Sequence, residues 1–195
     1  MTRIIAGSAK GHRLRTPATS DTRPTTDRVR EAVFSAIADW AGTGGAGAEQ
    51  MLAGLSFLDL FAGSAGVALE AVSRGAGPVT AVESVPAVAA IAKDNARTTR
   101  LAVTVVAAEA SKWLAGGAAT RFDVVWADPP YAYDNDRLAA LVELIEQRWL
   151  AENGLLVLER SSRDQPPVLP EALSVRWHRR YGETTVYFAM KEDPC

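Results

Sequence analysis

A chain of 195 residues, 48% of them hydrophobic, is long enough for one substantial domain with an appendage. Cys195 is the only cysteine, which excludes a disulfide framework and a thiolate metal cluster, and no metal site is predicted. No run of about 18 apolar residues occurs and the N-terminus lacks the apolar core of a secretory signal, so we expect a cytoplasmic protein without a membrane span.

The net charge of −2 hides an asymmetry along the chain. Residues 1–30 carry a net charge of +5, and the remaining 165 residues therefore carry −7. The basic side chains of this first segment are interleaved with apolar residues, which favours a folded arm that meets phosphates over a solubilising tail. The basic residues are Arg3, Lys10, Arg13, Arg15, Arg23, Arg28 and Arg30.

The first 40 residues predict a hairpin, a linker and a helix. Segments 3–7 and 12–16 have the pattern of short strands around a turn of small residues. Segment 16–26 is polar and contains two prolines, as linkers do. Asp27 is placed to cap a helix. The predicted apolar face of that helix consists of Val29, Ala32, Val33, Ala36, Ile37 and Trp40.

From Leu55 onward apolar strands alternate with helical patterns, which is typical of a parallel, doubly wound sheet. A glycine-rich loop, 42–47, precedes this region and is predicted to be flexible. The predicted strands are 55–60, 79–83, 103–107, 122–127 and 155–159, and the predicted helices are 65–74, 86–99 and 135–150.

The pattern changes at the C-terminus, where strand segments 174–181 and 184–190 are separated by two residues. Such a short connection joins only antiparallel strands. We therefore predict an α/β fold with a seven-stranded, mostly parallel sheet that ends in an antiparallel hairpin at one edge. Residues 1–20 are expected to form the arm and residues 21–195 the main domain.

The stretch from Phe57 to Gly66 leads from a strand through a loop of small residues into a helix. Gly63 and Gly66 allow a ligand to approach the backbone, and the helix offers free N–H groups at its start. The glycine spacing does not match the dinucleotide fingerprint, and no Gly-Lys-Ser/Thr follows. A nicotinamide site and a P-loop are thus excluded, and a small nucleoside-like cofactor without phosphates remains.

Two carboxylates follow the next two strands. Glu83, 24 residues after Asp59, can accept hydrogen bonds from both hydroxyls of a ribose. The alternative is an exposed carboxylate at a strand end, and the glycine loop favours the ribose. Glu109 can meet an adenine edge or cap a helix, and both interpretations stay open.

The apolar strand 122–127 ends at Asp128-Pro129-Pro130-Tyr131. The prolines lack N–H groups, so the carbonyls nearby stay free to accept hydrogen bonds. An acid, free acceptors and an aromatic ring suit a flat substrate with an amine, such as a nucleobase. A turn with a solvated aspartate explains the tetrapeptide alone equally well.

The glycine loop, Glu83 and the Asp-Pro-Pro-Tyr segment, in this order and spacing, resemble the S-adenosylmethionine-dependent methyltransferases that modify exocyclic amines. Over nearly the whole chain, further segments resemble the bacterial small-subunit ribosomal RNA guanine-N2 methyltransferases of the RsmD type. Those segments are Arg3-Ile4-Ile5-Ala6-Gly7, Arg23-Pro24-Thr25, Arg28-Val29-Arg30-Glu31, Ser73-Arg74-Gly75-Ala76 and Tyr181-Gly182-Glu183-Thr184.

The resemblance implies a Rossmann-like methyltransferase sheet, S-adenosylmethionine as cofactor, and ribosomal RNA as partner, within the small subunit or a late precursor. A monomer is expected. Asp128 and the Pro129 carbonyl would hold the N2 amine of a flipped guanine, Tyr131 would stack on the base, and the basic arm would bind RNA. The implied catalytic residues are Asp128, Pro129, Pro130 and Tyr131. The implied cofactor contacts are Asp59, Phe61, Ala62, Gly63, Ser64, Gly66, Glu83, Ser84, Glu109, Ala110 and Asp128.

The chain departs from this family in its cofactor loop. The family usually has Gly-Ser-Gly-Ala-Leu-Gly, whereas this chain has Gly63-Ser64-Ala65-Gly66-Val67-Ala68. Glu109 stands where aspartate is commoner.

Other functions use similar motifs. A DNA adenine-N6 methyltransferase could use the same tetrapeptide, but the chain has no evident target-recognition domain. A release-factor glutamine methyltransferase is disfavoured, because that family has Asn-Pro-Pro-Tyr. A non-catalytic RNA-binding module on the same fold is the alternative from a different class.

Overall fold

The computed structural model describes residues 2–17, 27–117, 120–130 and 133–191. The chain divides into two compact units, Met1–Ala108 and Glu109–Cys195. Most of the predicted linker lies outside the described residues, and so does the predicted boundary at residue 20. Within the described ranges, no helix is long and apolar enough to cross a membrane.

The first unit begins with the predicted hairpin, whose strands are shorter than predicted. Strands β1 (Thr2–Arg3) and β2 (Arg13–Leu14) are antiparallel, with Thr2 opposite Leu14. The strands stop early because Ile5 N and Ala6 N donate to the Glu70 carboxylate instead of to a strand.

Helix α1 (Asp27–Trp40) starts at Asp27 and buries Val29, Val33, Ala36 and Ile37, as predicted. The buried face of α1 is rotated slightly from the predicted one, since it also includes Arg30, Phe34 and Ala38. Phe34 stacks on Phe57 with 6.1 Å between ring centroids, which fixes this rotation. Ala32 and Trp40 are consequently only half-buried.

The rest of the first unit alternates strands and helices as predicted. The pairs β3–β4 and β4–β5 are parallel. Strands β3 and β5 start later than predicted because Leu55 N and Val103 N donate within turns. The elements are β3 (Phe57–Leu60), α2 (Gly66–Ser73), β4 (Val79–Glu83), α3 (Pro86–Thr99) and β5 (Thr104–Ala107).

The second unit contains one helix that the sequence analysis missed, α4, whose six residues are too few for a periodic apolar pattern. Strand β7 is longer than predicted, because Leu150 already pairs with Phe122 before a shift in register. The elements are α4 (Ala110–Ala115), β6 (Phe122–Ala127), α5 (Asn135–Leu144), a π-helical turn (Ile145–Trp149), β7 (Leu150–Ser161), β8 (Leu173–Tyr181) and β9 (Thr184–Lys191).

Among the described residues, the strand order is β5-β4-β3 in the first unit and β6-β7-β9-β8 in the second. Strand β9 is antiparallel to both β7 and β8, which places the C-terminal hairpin at one edge of the sheet. All four residues of β3 are buried, and so is most of β6 and β7, as expected for strands covered on both faces. The predicted fold class is confirmed.

Candidate active site

The loop between β3 and α2 has an unusual backbone conformation. Phe61, Gly63 and Ala65 have positive φ angles of 63°, 54° and 64°. This left-handed conformation costs a residue with a side chain roughly 1–2 kcal/mol, and such strain is concentrated at ligand sites. Ala62 N donates to Val82 O at 2.9 Å and thereby ties the loop to β4. Ala65 thus keeps a conformation that suits the glycine usual at this position.

Gly63 and Gly66 have different surroundings. A Cβ atom placed on Gly63 would meet no atom of the described residues within 4 Å, whereas one on Gly66 would lie 3.2 Å from Arg30 Nη1. The buried Asp59 carboxylate accepts from Ala68 N at 3.0 Å and fixes the first turn of α2. Open space for a ligand therefore lies at Gly63. Cofactor contacts by Asp59, Phe61, Ala62 and Ser64 remain predictions.

Glu83 ends β4 and connects the loop to the start of α3. Its Oε2 accepts from Gly63 N at 2.8 Å, and its Oε1 accepts from Val85 N at 2.8 Å and from the Ser84 hydroxyl at 3.3 Å. A carboxylate offers about four acceptor positions, so the orientation of Glu83 is fixed while capacity for a ribose hydroxyl remains. Val85, which the sequence analysis did not single out, is 49% exposed beside this carboxylate.

Asn95, a buried residue of α3, joins the loop to the N-terminal arm. Its Nδ2 donates to Ser64 O at 3.0 Å and to Arg15 O at 3.0 Å, and its Oδ1 accepts from Arg15 N at 2.9 Å. Asn95 was not predicted as a site residue, although an amide within an alanine-rich helix is a visible signal in the sequence.

The arm is also attached to α2 through a buried polar network. Glu70, fully buried, accepts from Ile5 N at 2.7 Å, from Ala6 N at 3.0 Å and from Arg74 Nε at 2.8 Å. Arg74 is fully buried as well and also pairs with Glu31 of α1. Three of the segments that carried the family resemblance, 3–7, 28–31 and 73–76, therefore meet in one structural network.

The basic residues of the first segment fall into two groups. Arg30 is only 3% exposed, and its Nη2 donates to Arg3 O at 2.6 Å and to Asp27 Oδ1 at 3.0 Å. Burial lowers the pKa of Arg30, opposed by the charges of Glu70 and Asp27. Such a side chain offers little surface to a phosphate, and Arg23 lies outside the described residues. Exposed side chains are found at Arg3, Lys10, Arg13, Arg15 and Arg28.

In the second unit, Glu109 caps α4, which is one of the two roles predicted for this residue. Its carboxylate accepts from Lys112 N at 2.9 Å, from Ser111 N at 3.3 Å and from the Ser111 hydroxyl. Burial works against the charged form, but these hydrogen bonds outweigh it and hold the pKa of Glu109 below its usual range. A contact of Glu109 or the buried Ala110 with adenine remains a prediction.

Asp128 follows β6 and is exposed to solvent, although protein atoms crowd around it. This crowding raises the pKa of Asp128 to about 6, and the positive charge of Arg160 opposes the rise. The carbonyl of Pro130 is not a free acceptor, because it accepts from Tyr133 N at 2.8 Å. The predicted stacking residue Tyr131 lies outside the described residues.

Arg160, at the end of β7, is a site residue that the sequence analysis missed. It is 7% exposed, donates from Nη2 to Tyr133 O at 3.3 Å and pairs with Asp164 at 2.8 Å. Its Nε is buried without a hydrogen-bond partner among the described residues. Arg160 thus stabilises the segment after the prolines and favours the anionic form of Asp128.

Comparison with known proteins identifies the family to which this chain belongs. The family described as conserved hypothetical protein 95 matches residues 2–190. YlbH of Bacillus subtilis, named as an rRNA methyltransferase, is 34% identical over 94% of this chain and 96% of its own length. Ribosomal RNA small subunit methyltransferase D of Escherichia coli K12 is 31% identical over 97% of this chain and 90% of its own length. The chain belongs to the ribosomal RNA small subunit methyltransferase D family.

Solved structures agree with membership in the methyltransferase D family. The Escherichia coli protein yhhF, described as a methyltransferase, has a TM-score of 0.83 at 30% identity, with 98% of both chains covered. The hypothetical protein TTHA0928 of Thermus thermophilus has a TM-score of 0.76 at 30% identity, with 96% of this chain and 98% of its own covered. These matches confirm the predicted family and the predicted S-adenosylmethionine-dependent methyltransferase activity.

Proposed function

We propose that this chain transfers a methyl group from S-adenosylmethionine to the N2 amine of a guanine in small-subunit ribosomal RNA. The observation that carries the proposal is the Asp128-Pro129-Pro130 loop, in which Asp128 is an exposed residue, in a chain 31% identical to ribosomal RNA small subunit methyltransferase D. The substrate is RNA within the small ribosomal subunit or a late precursor. This substrate would place the enzyme in the cytoplasm, and a monomer remains our prediction.

The residues of the first unit fit the nucleoside part of the cofactor. The open space at Gly63 admits a ligand, Glu83 has acceptor capacity for a ribose hydroxyl, and the exposed Val85 offers an apolar surface to a purine face. When bound, S-adenosylmethionine supplies an electrophilic methyl group on its sulfonium.

The guanine amine is a poor nucleophile, because its lone pair is delocalised into the ring. Asp128 would accept one N–H of the amine, and the Pro129 carbonyl would accept the other. These contacts hold the amine in the geometry that localises the lone pair, so they are strongest in the transition state. Positioning of this kind supplies at most roughly 7–11 kcal/mol, so a strong general base is not required before methyl transfer. As the nitrogen–methyl bond forms and the methyl–sulfur bond breaks, the amine becomes cationic and acidic, and its surplus proton would pass to the Asp128 carboxylate or to water.

The base must leave its stack to reach this loop, which costs a few kcal/mol in a duplex and less in an unpaired region. An unpaired guanine is therefore the expected target. The exposed basic side chains of the first 30 residues, among them Lys10 and Arg13 of the arm and Arg28 of α1, would bind the phosphates around it.

The proposal is tested by incubating the protein with tritiated S-adenosylmethionine and either naked small-subunit RNA or assembled subunits, followed by nucleoside analysis. Label in N2-methylguanosine is expected. Label in N6-methyladenine of added DNA would support the alternative enzyme. Calorimetry that detects no cofactor binding to the intact protein would contradict the enzymatic function and leave the non-catalytic RNA-binding module as the alternative.

A further inference from the structure

Strand β8 is a second positively charged segment, separate from the basic arm. Its sequence, Leu-Ser-Val-Arg-Trp-His-Arg-Arg-Tyr, contains three arginines and one histidine and no carboxylate. The strand lies at the edge of the sheet, and Arg176, His178, Arg179 and Arg180 are all exposed. An exposed basic strand of this kind matches the charge of a nucleic acid backbone.

The register of the hairpin assigns these side chains to opposite faces of the sheet. Arg180 lies opposite Thr185 of β9, which lies opposite Arg160 of β7. Residues directly opposite each other share a face, so Arg160 and Arg180 belong to one row. Neighbouring strands are about 4.8 Å apart, which separates these two backbones by about 10 Å.

The adjacent row on this face contributes an aromatic pair. His178 lies opposite Tyr187, with 5.7 Å between their ring centroids. His178 is exposed and Tyr187 is half-buried. Aromatic rings provide a surface on which a base can stack, and a neighbouring cation can bind the phosphate of the same nucleotide.

One row of this face ends at a residue of the candidate active site within the second unit. Arg160, at the inner end of the first row, donates to Tyr133 O and acts electrostatically on Asp128. The other face of β8 has a different character, because Trp177 there stacks on Phe188 at 4.7 Å between ring centroids. Arg179 lies on that face, opposite Val186.

We propose that the face formed by His178, Arg180 and Tyr187 binds the RNA segment next to the target nucleotide, with Arg180 contacting a phosphate and the aromatic pair stacking on a base. The inference rests on the proposed function, because it assumes an RNA substrate. Charge on an edge strand also protects against pairing with another chain, but that protection does not depend on the face that carries the charge.

Arg179 provides a matched control, since it is the neighbouring residue, carries the same charge, is also exposed and lies on the opposite face. Binding of Arg180→Gln and Arg179→Gln to small-subunit RNA is measured by fluorescence anisotropy at several salt concentrations. Loss of one phosphate contact should make the slope of log affinity against log salt less steep by about 0.7 in Arg180→Gln only. Tyr187→Leu, which keeps apolar bulk, should weaken RNA binding several-fold.

Methyl-transfer kinetics distinguish an effect on RNA binding at this surface from an effect on the chemical step. Arg180→Gln should raise the KM for RNA and leave both kcat and the affinity for S-adenosylhomocysteine unchanged. Equal salt slopes for the two arginine variants, in an enzyme that methylates RNA, would overturn this inference alone. Failure of the wild-type protein to methylate any RNA would overturn the proposed function and the inference together.

Discussion

Asn95 donates a hydrogen bond of 3.0 Å to the carbonyl of Ser64, and the same side chain binds the backbone of Arg15. A single buried amide thus connects the predicted cofactor loop to the basic arm. The arm is therefore part of the first unit, where it supports the loop as well as offering charge to RNA.

Asn95→Ala should destabilise the protein by about 2–3 kcal/mol, because Ser64 O and both backbone groups of Arg15 lose their partner inside the protein. It should also weaken binding of S-adenosylhomocysteine, since the loop loses one of its supports, the hydrogen bond to Ser64 O. Urea unfolding and calorimetry measure the two effects. Lys93→Ala, on the exposed side of the same helix, is the control and should stay within about 0.5 kcal/mol of wild type. Wild-type behaviour of Asn95→Ala in both assays would contradict the proposed connection.

Two glycines of the arm provide a matched pair for its attachment to α2. Gly7 and Gly11 have φ angles of +82° and +88°, but a Cβ on Gly7 would lie 1.8 Å from Ser73 O, whereas one on Gly11 meets no described atom within 4 Å. Gly11→Ala should cost only the left-handed strain, roughly 1–2 kcal/mol. Gly7→Ala should cost about 4 kcal/mol or more, since backbone must also move. Equal midpoints of urea unfolding for the two variants would contradict the close packing of Gly7 against Ser73.

The exposed part of the arm can be tested without disturbing this attachment. Lys10→Gln with Arg13→Gln removes two exposed charges. If both bind phosphates of single-stranded RNA, the salt slope of RNA binding should become less steep by about 1.4. Affinity for S-adenosylhomocysteine should not change. Deletion of residues 1–20 is a poorer test, because Glu70 would lose two of its hydrogen-bond donors inside the protein.

Glu83→Gln should weaken cofactor binding by about 10- to 100-fold, because charge-assisted hydrogen bonds contribute about 1.5–3 kcal/mol and the amide cannot accept on both sides. The loop at Gly63 loses part of its support in the same variant. Calorimetric titration with S-adenosylhomocysteine measures the loss. Glu49→Gln, the same substitution at an exposed glutamate of the first unit outside the candidate site, is the control and should bind as well as wild type. An unchanged affinity of Glu83→Gln would exclude the ribose role.

Methyl transfer should decrease as the pH falls through about 6, because Asp128 accepts the amine N–H only in its anionic form and its pKa is raised to about 6. Removing the opposing positive charge in Arg160→Met should shift this acid limb to higher pH, and Arg160→Lys should restore it. Rates measured from pH 5 to 8 with saturating cofactor test both statements. An acid limb that does not move in Arg160→Met would show that Asp128 is not the titrating group.

Stability has the opposite pH dependence at this residue. The folded state holds the Asp128 proton more tightly than the unfolded state. The contribution of this group to the free energy of unfolding is therefore full below the ordinary pKa near 3.8 and is lost as the pH rises through about 6. Asp128→Asn should therefore be more stable than wild type at pH 7 while losing activity. Thermal unfolding at pH 5 and pH 7 checks the direction, and an Asn variant less stable at pH 7 would contradict it.

The sequence by itself determined the alternation of strands and helices, the antiparallel C-terminal hairpin and the glycine, Glu83 and Asp128 motifs. These depend on local properties: apolar periodicity, a two-residue turn, prolines after a strand. The tertiary structure alone decided that Arg30 is buried and that Asn95, Glu70 and Arg160 support the site. The partners of those residues lie far away along the chain, and a polar side chain gives no local indication of which distant group it will meet.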